Sequence, residues 1–161
     1  MSASAVLSVV VQTEDFSLED AFRRLRQAAP GAGAEVAFVG LVRDQAGSVA
    51  SLTLEHYPGM SERSMLAVCE RAAKRWPLLA VEAIHRVGTL GPGDQIVLVL
   101  VSSAHRHAAF AGAQYIMDAF KSEVVFWKLE DRDGEKVWIE AAPSDHQALT
   151  AWEETSGEGA P

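Results

Sequence analysis

Apolar residues along this chain switch repeatedly between a period of two and a period of about 3.6, and each switch marks an element boundary. Valine-rich Ala5 to Gln12 predicts a first strand. Ser17 then stands before LEDAFRRLRQAA, where Leu18, Ala21, Phe22 and Leu25 recur at helical spacing and Asp20 takes the place of a capping-box acid. This helix ends before Pro30. AEVAFVGLVR follows as a strand apolar on both faces. Asp44 to Ser48 is a loop, after which VASLTLEHY predicts an antiparallel partner for that strand.

Pro58 and Gly59 break the pattern, and Ser61 is placed to cap a second helix carrying Met65, Cys69, Ala72 and Trp76 on one face. Pro77 stops it. Strands at Leu79 to Thr89 and Gln95 to Ser103 flank the turn LGPGD and predict a second hairpin. A third helix covers Ala108 to Lys121, with Phe110, Ala113, Met117 and Phe120 facing the core. Val124 to Glu130 and Lys136 to Glu140, joined through Asp133-Gly134, make a last hairpin. Hairpin pairs with helices between them predict an α+β fold on a largely antiparallel sheet. The expected organisation is a single domain over residues 1–154, with a flexible tail over residues 155–161.

At 161 residues and 48% hydrophobic the chain is long enough and apolar enough for one core, which excludes a disordered chain. Fourteen basic residues against 22 acidic give a net charge of −8, the wrong sign for a nucleic-acid partner. The longest apolar run, Ile96 to Val101, is a strand and far short of the roughly 20 residues of a membrane span. The N-terminus has no basic region ahead of its apolar run, so no secretory signal is expected. A single cysteine, Cys69, makes no internal disulfide and fits a reducing, cytoplasmic setting. No metal-ligand cluster, glycine-rich phosphate loop or Ser-His-Asp order appears, so neither a metal nor a cofactor is predicted.

Three segments carry candidate chemistry. Two of only four lysines, Lys121 and Lys128, flank KSEVVFWK. Lys121, four positions after Met117, lies beside an apolar helix face, where a desolvated ammonium titrates low enough to act as base or nucleophile. It equally suits a helix C-terminus electrostatically. Strand parity puts Phe126 and Glu130 on the side of Lys128, either as a site or as a solvated face. In SSAHRHAAF a strand gives way to a helix, setting His105 and Arg106 beside free backbone amides, a natural seat for an anion. Capping by His105 with Arg106 in water is the plain alternative. In FVGLVRD an apolar strand delivers Arg43 at its exit, for a ligand or for an ion pair with Asp44. His56 and Tyr57 occupy a strand-to-helix corner, either to line a site or, on the plain reading, as a packed aromatic corner, and His85 alternates within a strand as a structural residue.

Taken together, FVGLVRD, LTLEHYPGM, IHRVGTLGPGD, SSAHRHAAF and FKSEVVFWK resemble, in order and spacing, the large catalytic subunit family of molybdopterin synthase, from about Glu35 to Ala141. The resemblance implies an α/β hammerhead-like fold and a homodimer carrying a small ubiquitin-like sulfur-carrier subunit at each end, a heterotetramer. It implies that the carrier's thiocarboxylated Gly-Gly terminus gives sulfur, in two rounds, to cyclic pyranopterin monophosphate, producing the dithiolene of molybdopterin. Lys121 then contacts the carrier's terminal glycine and serves catalysis, and Lys128 is the second active-site lysine. Leu129 and Glu130 line the pocket wall. Leu41, Val42, Arg43, His105 and Arg106 bind substrate, Leu41 standing where relatives often carry lysine.

The residues themselves add two expectations. Cys69 sits on an apolar helix face, where thiols are inert, so the sulfur has to come from outside. Both reactants are anions, so cations distant in sequence have to converge in the folded dimer, and their mutual repulsion can hold one lysine near neutrality for proton transfer. Two other classes of function remain open to a chain of this pattern: a non-catalytic dimeric module binding a small phosphorylated ligand, and an interaction protein docking through its Trp127 and Trp138 strands.

Overall fold

A computed structural model describes residues 3–139 and 143–155. Its core is a four-stranded sheet in the order β1 (Val6–Gln12), β4 (Leu78–Arg86), β6 (Gln95–Ser103), β2 (Ala34–Leu41), with β1 parallel to β4 and the other neighbours antiparallel. Both faces of this sheet are covered, which is why β4 and β6 are apolar without alternation. Val81, Ala83, Val97, Val99 and Val101 pack toward the helices α2 (Met60–Arg75) and α3 (Arg106–Glu123). Ala80, Ile84, Leu98 and Leu100 pack toward Ala21 and Leu25 of α1 (Leu18–Ala28). On that side Glu82, buried, accepts from Arg24 at 2.5 Å.

The helix starts follow local chemistry. Ser17 Oγ accepts from the Asp20 amide at 3.2 Å as expected, while the Asp20 carboxylate holds Arg23 instead of closing a capping box. The cap of α2 is Gly59 and not Ser61, which is buried in the first turn. Gly59 takes φ 83°, and the Glu62 carboxylate accepts from its amide at 2.6 Å. The third helix is longer than expected, starting at Arg106 and ending at Glu123.

The pairing of β2 with the following strand is not observed. That strand, β3 (Val49–Glu55), belongs to a second sheet in the order β5 (Gly88–Leu90), β3, β7 (Trp127–Arg132), β8 (Glu135–Ile139). Two features carry the chain from one sheet to the other. The Val42 amide donates to Asp94 O and Gly93 N donates to Val42 O, both at 2.9 Å, which ties the exit of β2 to the turn before β6. Gln45, Ala46 and Gly47 then take φ of 45°, 58° and 83°, and this left-handed run swings the backbone away. The expected strand Leu79 to Thr89 is likewise two strands, because the chain leaves the first sheet after Arg86 and pairs Gly88 to Leu90 with β3. The β4–β6 and β7–β8 pairings form as expected.

A fourth helix, α4 (Pro143–Thr155), has no counterpart in the sequence reading, although Pro143 opens it at the first helical position and Leu149 and Trp152 share helical spacing. Trp152 meets Trp76 and Tyr115 edge-on and donates from Nε1 to Asp118 at 2.8 Å. Thr155, placed in the expected tail, accepts from Arg75 at 3.0 Å and closes the helix. The rest of that tail, 156–161, lies outside the described residues.

Candidate active site

Arg43 is delivered by the exit of β2. Gly40 lets the strand approach β6 so closely that a Cβ there would lie 2.7 Å from Val97 Cγ1, and the pairing register shifts between Gly40 and Leu41. Beyond this bulge Leu41 and Arg43 are exposed while Val42 is buried. Helix α3 follows β6 after only two residues and packs along the sheet, so it has to run back antiparallel to β6. Its last turn therefore lies near the exit of β2. Phe120 and Val124 anchor that turn in the core, leaving Lys121 exposed.

Lys128 follows on β7. Its face of the strand is not the solvated one: Glu130 is buried, and the facing residues Leu52 and Leu54 of β3 belong to a small core with Val42, Val87 and Leu90. Lys128 itself is half-buried at the rim of this core. Glu130 accepts from Arg132 Nε at 2.5 Å. Leu129 alternates to the outer face with Trp127, whose ring meets Tyr57 edge-on at 4.7 Å, so the His56–Tyr57 corner is packed as the plain reading has it.

His105 and Arg106 occupy the other end of the molecule. His105 is the N-cap residue of α3 with an extended backbone and makes no side-chain cap bond, and both side chains are exposed beside the free amides of the first turn. Pairing of Ala34 with Ser103 and of Leu41 with Gln95 puts the whole length of β2 between this end and Arg43. At about 3.4 Å per residue that is roughly 25 Å. Along α3, at about 1.5 Å per residue, Lys121 is likewise some 22 Å from Arg106. One chain alone does not gather the five expected cationic side chains around one pocket. A groove of about 290 Å³ lies between the two ends, lined by Val36 and Phe38 of β2 and by Phe110, Ala113, Gln114 and Met117 of α3, and it contains none of them.

The pairing of arginines separates these residues from the rest of the molecule. Arg23, Arg24, Arg26, Arg71, Arg86 and Arg132 make ion pairs, Arg63 bonds a backbone carbonyl, and Arg75 bonds the end of α4. Among the described residues, Arg43 and Arg106 are the two arginines with neither an ion pair nor a side-chain hydrogen bond. In a chain of net charge −8 such exposed, unspent guanidinium groups suit external anions. The ion pair with Asp44 does not form.

The sequence profile of the MoaE protein family matches residues 11–123, more than half of the chain. The chain belongs to the MoaE protein family. It is 52% identical over 147 residues to the molybdopterin synthase catalytic subunit of Vibrio cholerae, covering 90% of this chain and 97% of the relative. The Burkholderia ambifaria molybdopterin biosynthesis MoaE protein superposes with a TM-score of 0.81 at 41% identity, over 92% of this chain and 99% of that one. Molybdopterin synthase from Staphylococcus aureus gives a TM-score of 0.73 at 28% identity, over 81% and 95%. One feature of this MoaE chain escaped its sequence. His85 and His56 stand beside Phe126 next to Lys128, although the shared parity of Phe126 and Lys128 was visible. The only cysteine is fully buried, as its place on an apolar helix face predicts, and burial pushes the Cys69 thiol up to about 12.

Proposed function

We propose that this MoaE chain transfers sulfur from the thiocarboxylated Gly-Gly terminus of a small ubiquitin-like carrier to cyclic pyranopterin monophosphate, in two rounds, forming the dithiolene of molybdopterin. One thiocarboxylate carries one sulfur, so two deliveries are needed. The chain supplies no sulfur of its own, because a thiol held protonated in the core is neither nucleophile nor leaving group. The observation that carries the reading is the pair of unspent arginines, Arg43 and Arg106, at the two ends of the β2–α3 face.

A homodimer reconciles that separation with a shared pocket. The strand β2 is an edge of its sheet, and Phe38 and Phe110, 40% and 62% exposed, leave the middle of the face apolar. A two-fold axis through this middle turns each copy's α3 N-terminus onto the other's β2 exit. Arg43, Lys121 and Lys128 of one copy then face His105 and Arg106 of the second, and the anionic reactants are held between them. In this arrangement Lys121 meets the carrier's terminal glycine and Lys128 stands across the pocket as the second lysine, moving protons while sulfur adds to the pterin side chain. Val42 is buried and Leu129 faces outward, so their share in the pocket is through the backbone, while exposed Leu41 shapes its rim and buried Glu130, held by Arg132, backs its wall. Two such sites, each with a carrier, make the heterotetramer.

The reading also covers organisation and setting. Residues 1–154 act as one domain, and the lone buried cysteine fits the cytoplasm. Among the described residues no helix is long and apolar enough to cross a membrane. Purified chain, thiocarboxylated carrier and pterin phosphate together test the function: dithiolene should form with the native chain and fall about a hundredfold with Lys121→Ala. Near-normal product from that variant would refute the role of Lys121.

A further inference from the structure

Lys128 is flanked by a ring system. Phe126 stands two residues before it, just ahead of β7, about 7 Å away along the backbone, and packs against the same Leu52 and Leu54 core. The imidazole of His85 lies flat on the Phe126 ring, with 3.9 Å between centroids and 15° between planes. His56, from the end of β3, stacks on the same ring at 6.4 Å and 29°. His85 is 7% exposed, and its Nδ1 donates to the Arg86 carbonyl at 2.8 Å, which fixes the plane of the ring at the place where the chain crosses from β4 to β5. The residue that locks this crossing thus bears directly on the segment that presents Lys128.

We propose that His85 is a positioning residue for Lys128: seated on Phe126, it holds the start of β7 and so the direction in which the Lys128 ammonium enters the pocket. The inference rests on the role given to Lys128 above. Burial supports it by keeping the imidazole neutral, down to about 4, with the charges of Lys128 and His56 also opposing its protonation. His85 therefore braces the lysine through ring contact without adding a second positive charge. With Nδ1 engaged as donor, the hydrogen bond to Arg86 orients the ring and the stack transmits that orientation to β7.

Steady-state dithiolene formation with the full chain and thiocarboxylated carrier separates these roles. His85→Asn keeps a donor near the Nδ1 position and removes the ring; kcat should fall on the order of tenfold while KM for the pterin phosphate stays within about twofold. His85→Phe keeps a ring on Phe126 and should recover turnover to within about threefold of the native chain. In a Lys128→Gln background, His85→Asn should add less than about a twofold loss, because both changes act on one group. Unchanged kcat in His85→Asn, or a full multiplicative loss in the double variant, overturns the proposal while leaving the role of Lys128 intact. Full turnover by Lys128→Gln removes that role, and the inference falls with it. Should His85→Asn not fold, the His85 ring signals in the NMR spectrum of Lys128→Gln decide: a shift from their native positions is expected, and unmoved signals overturn the coupling.

Discussion

Val97 occupies the space that a side chain at residue 40 would need: a Cβ on Gly40 would stand 2.7 Å from Val97 Cγ1. This close pairing of β2 with β6 sets the bulge from which Arg43 leaves the sheet. Gly40→Ala should therefore cost about 1–3 kcal/mol in denaturant unfolding, as overpacking does, and should weaken pterin phosphate binding by displacing Arg43. A variant as stable as the native chain would show that the strands separate freely here.

The two-end arrangement of cations predicts complementation. Arg106→Ala and Lys121→Ala should each be inactive or nearly so as homodimers. Mixed and allowed to exchange subunits, half of the dimers become mixed, and each of these holds one site with both residues native, so about a quarter of native turnover should return. No recovery in a mixture proven to exchange would place both residues in one copy's site. Phe110→Glu should give folded monomers by light scattering with little turnover.

His85 makes stability fall as the solution is acidified. Its folded value is lowered from 6.5 to about 4 by burial, so the unfolded chain binds a proton first as pH drops. Above about pH 6.5 the group contributes no pH dependence; between 6.5 and 4 the folded state loses roughly 3 kcal/mol, at about 1.4 kcal/mol per unit; below 4 the effect is complete. Urea midpoints across this window should slope less steeply for His85→Phe than for the native chain. Equal slopes would mean that the ring reaches solvent.

Cys69 should be silent in both chemistry and labelling. With its thiol raised to about 12 and no exposed surface, it should react with a thiol reagent at pH 8 only on unfolding, and Cys69→Ala should keep dithiolene formation while losing about 1–2 kcal/mol of stability. Loss of sulfur transfer in a well-folded Cys69→Ala chain would reopen the question of an internal sulfur carrier.

Most elements were legible along the chain because period and punctuation are local properties. Ser17 starts α1, Pro77 follows α2, and Asp133-Gly134 turns β7 into β8, each through chemistry contained in a few residues. The α4 helix escaped because only part of its face is apolar, and its support comes from Trp76, Tyr115 and Arg75, far away in sequence. Parity grouped Phe126, Lys128 and Glu130 correctly, but parity does not say which face is buried. Leu52 and Leu54 decide that, from another strand.

Taken alone, the sequence determined most of the strands and the first three helices, that its single cysteine lies on an apolar helix face, and which side chains carry positive charge at strand and helix ends. Tertiary structure alone decided that β2 and β3 part into different sheets, that His85 lies on Phe126, and that Arg43 and Arg106 stand a whole strand apart. The reason is physical: backbone preference and hydrophobic period act over a few residues, whereas strand partners and charge separations are set by how distant segments share one buried interior.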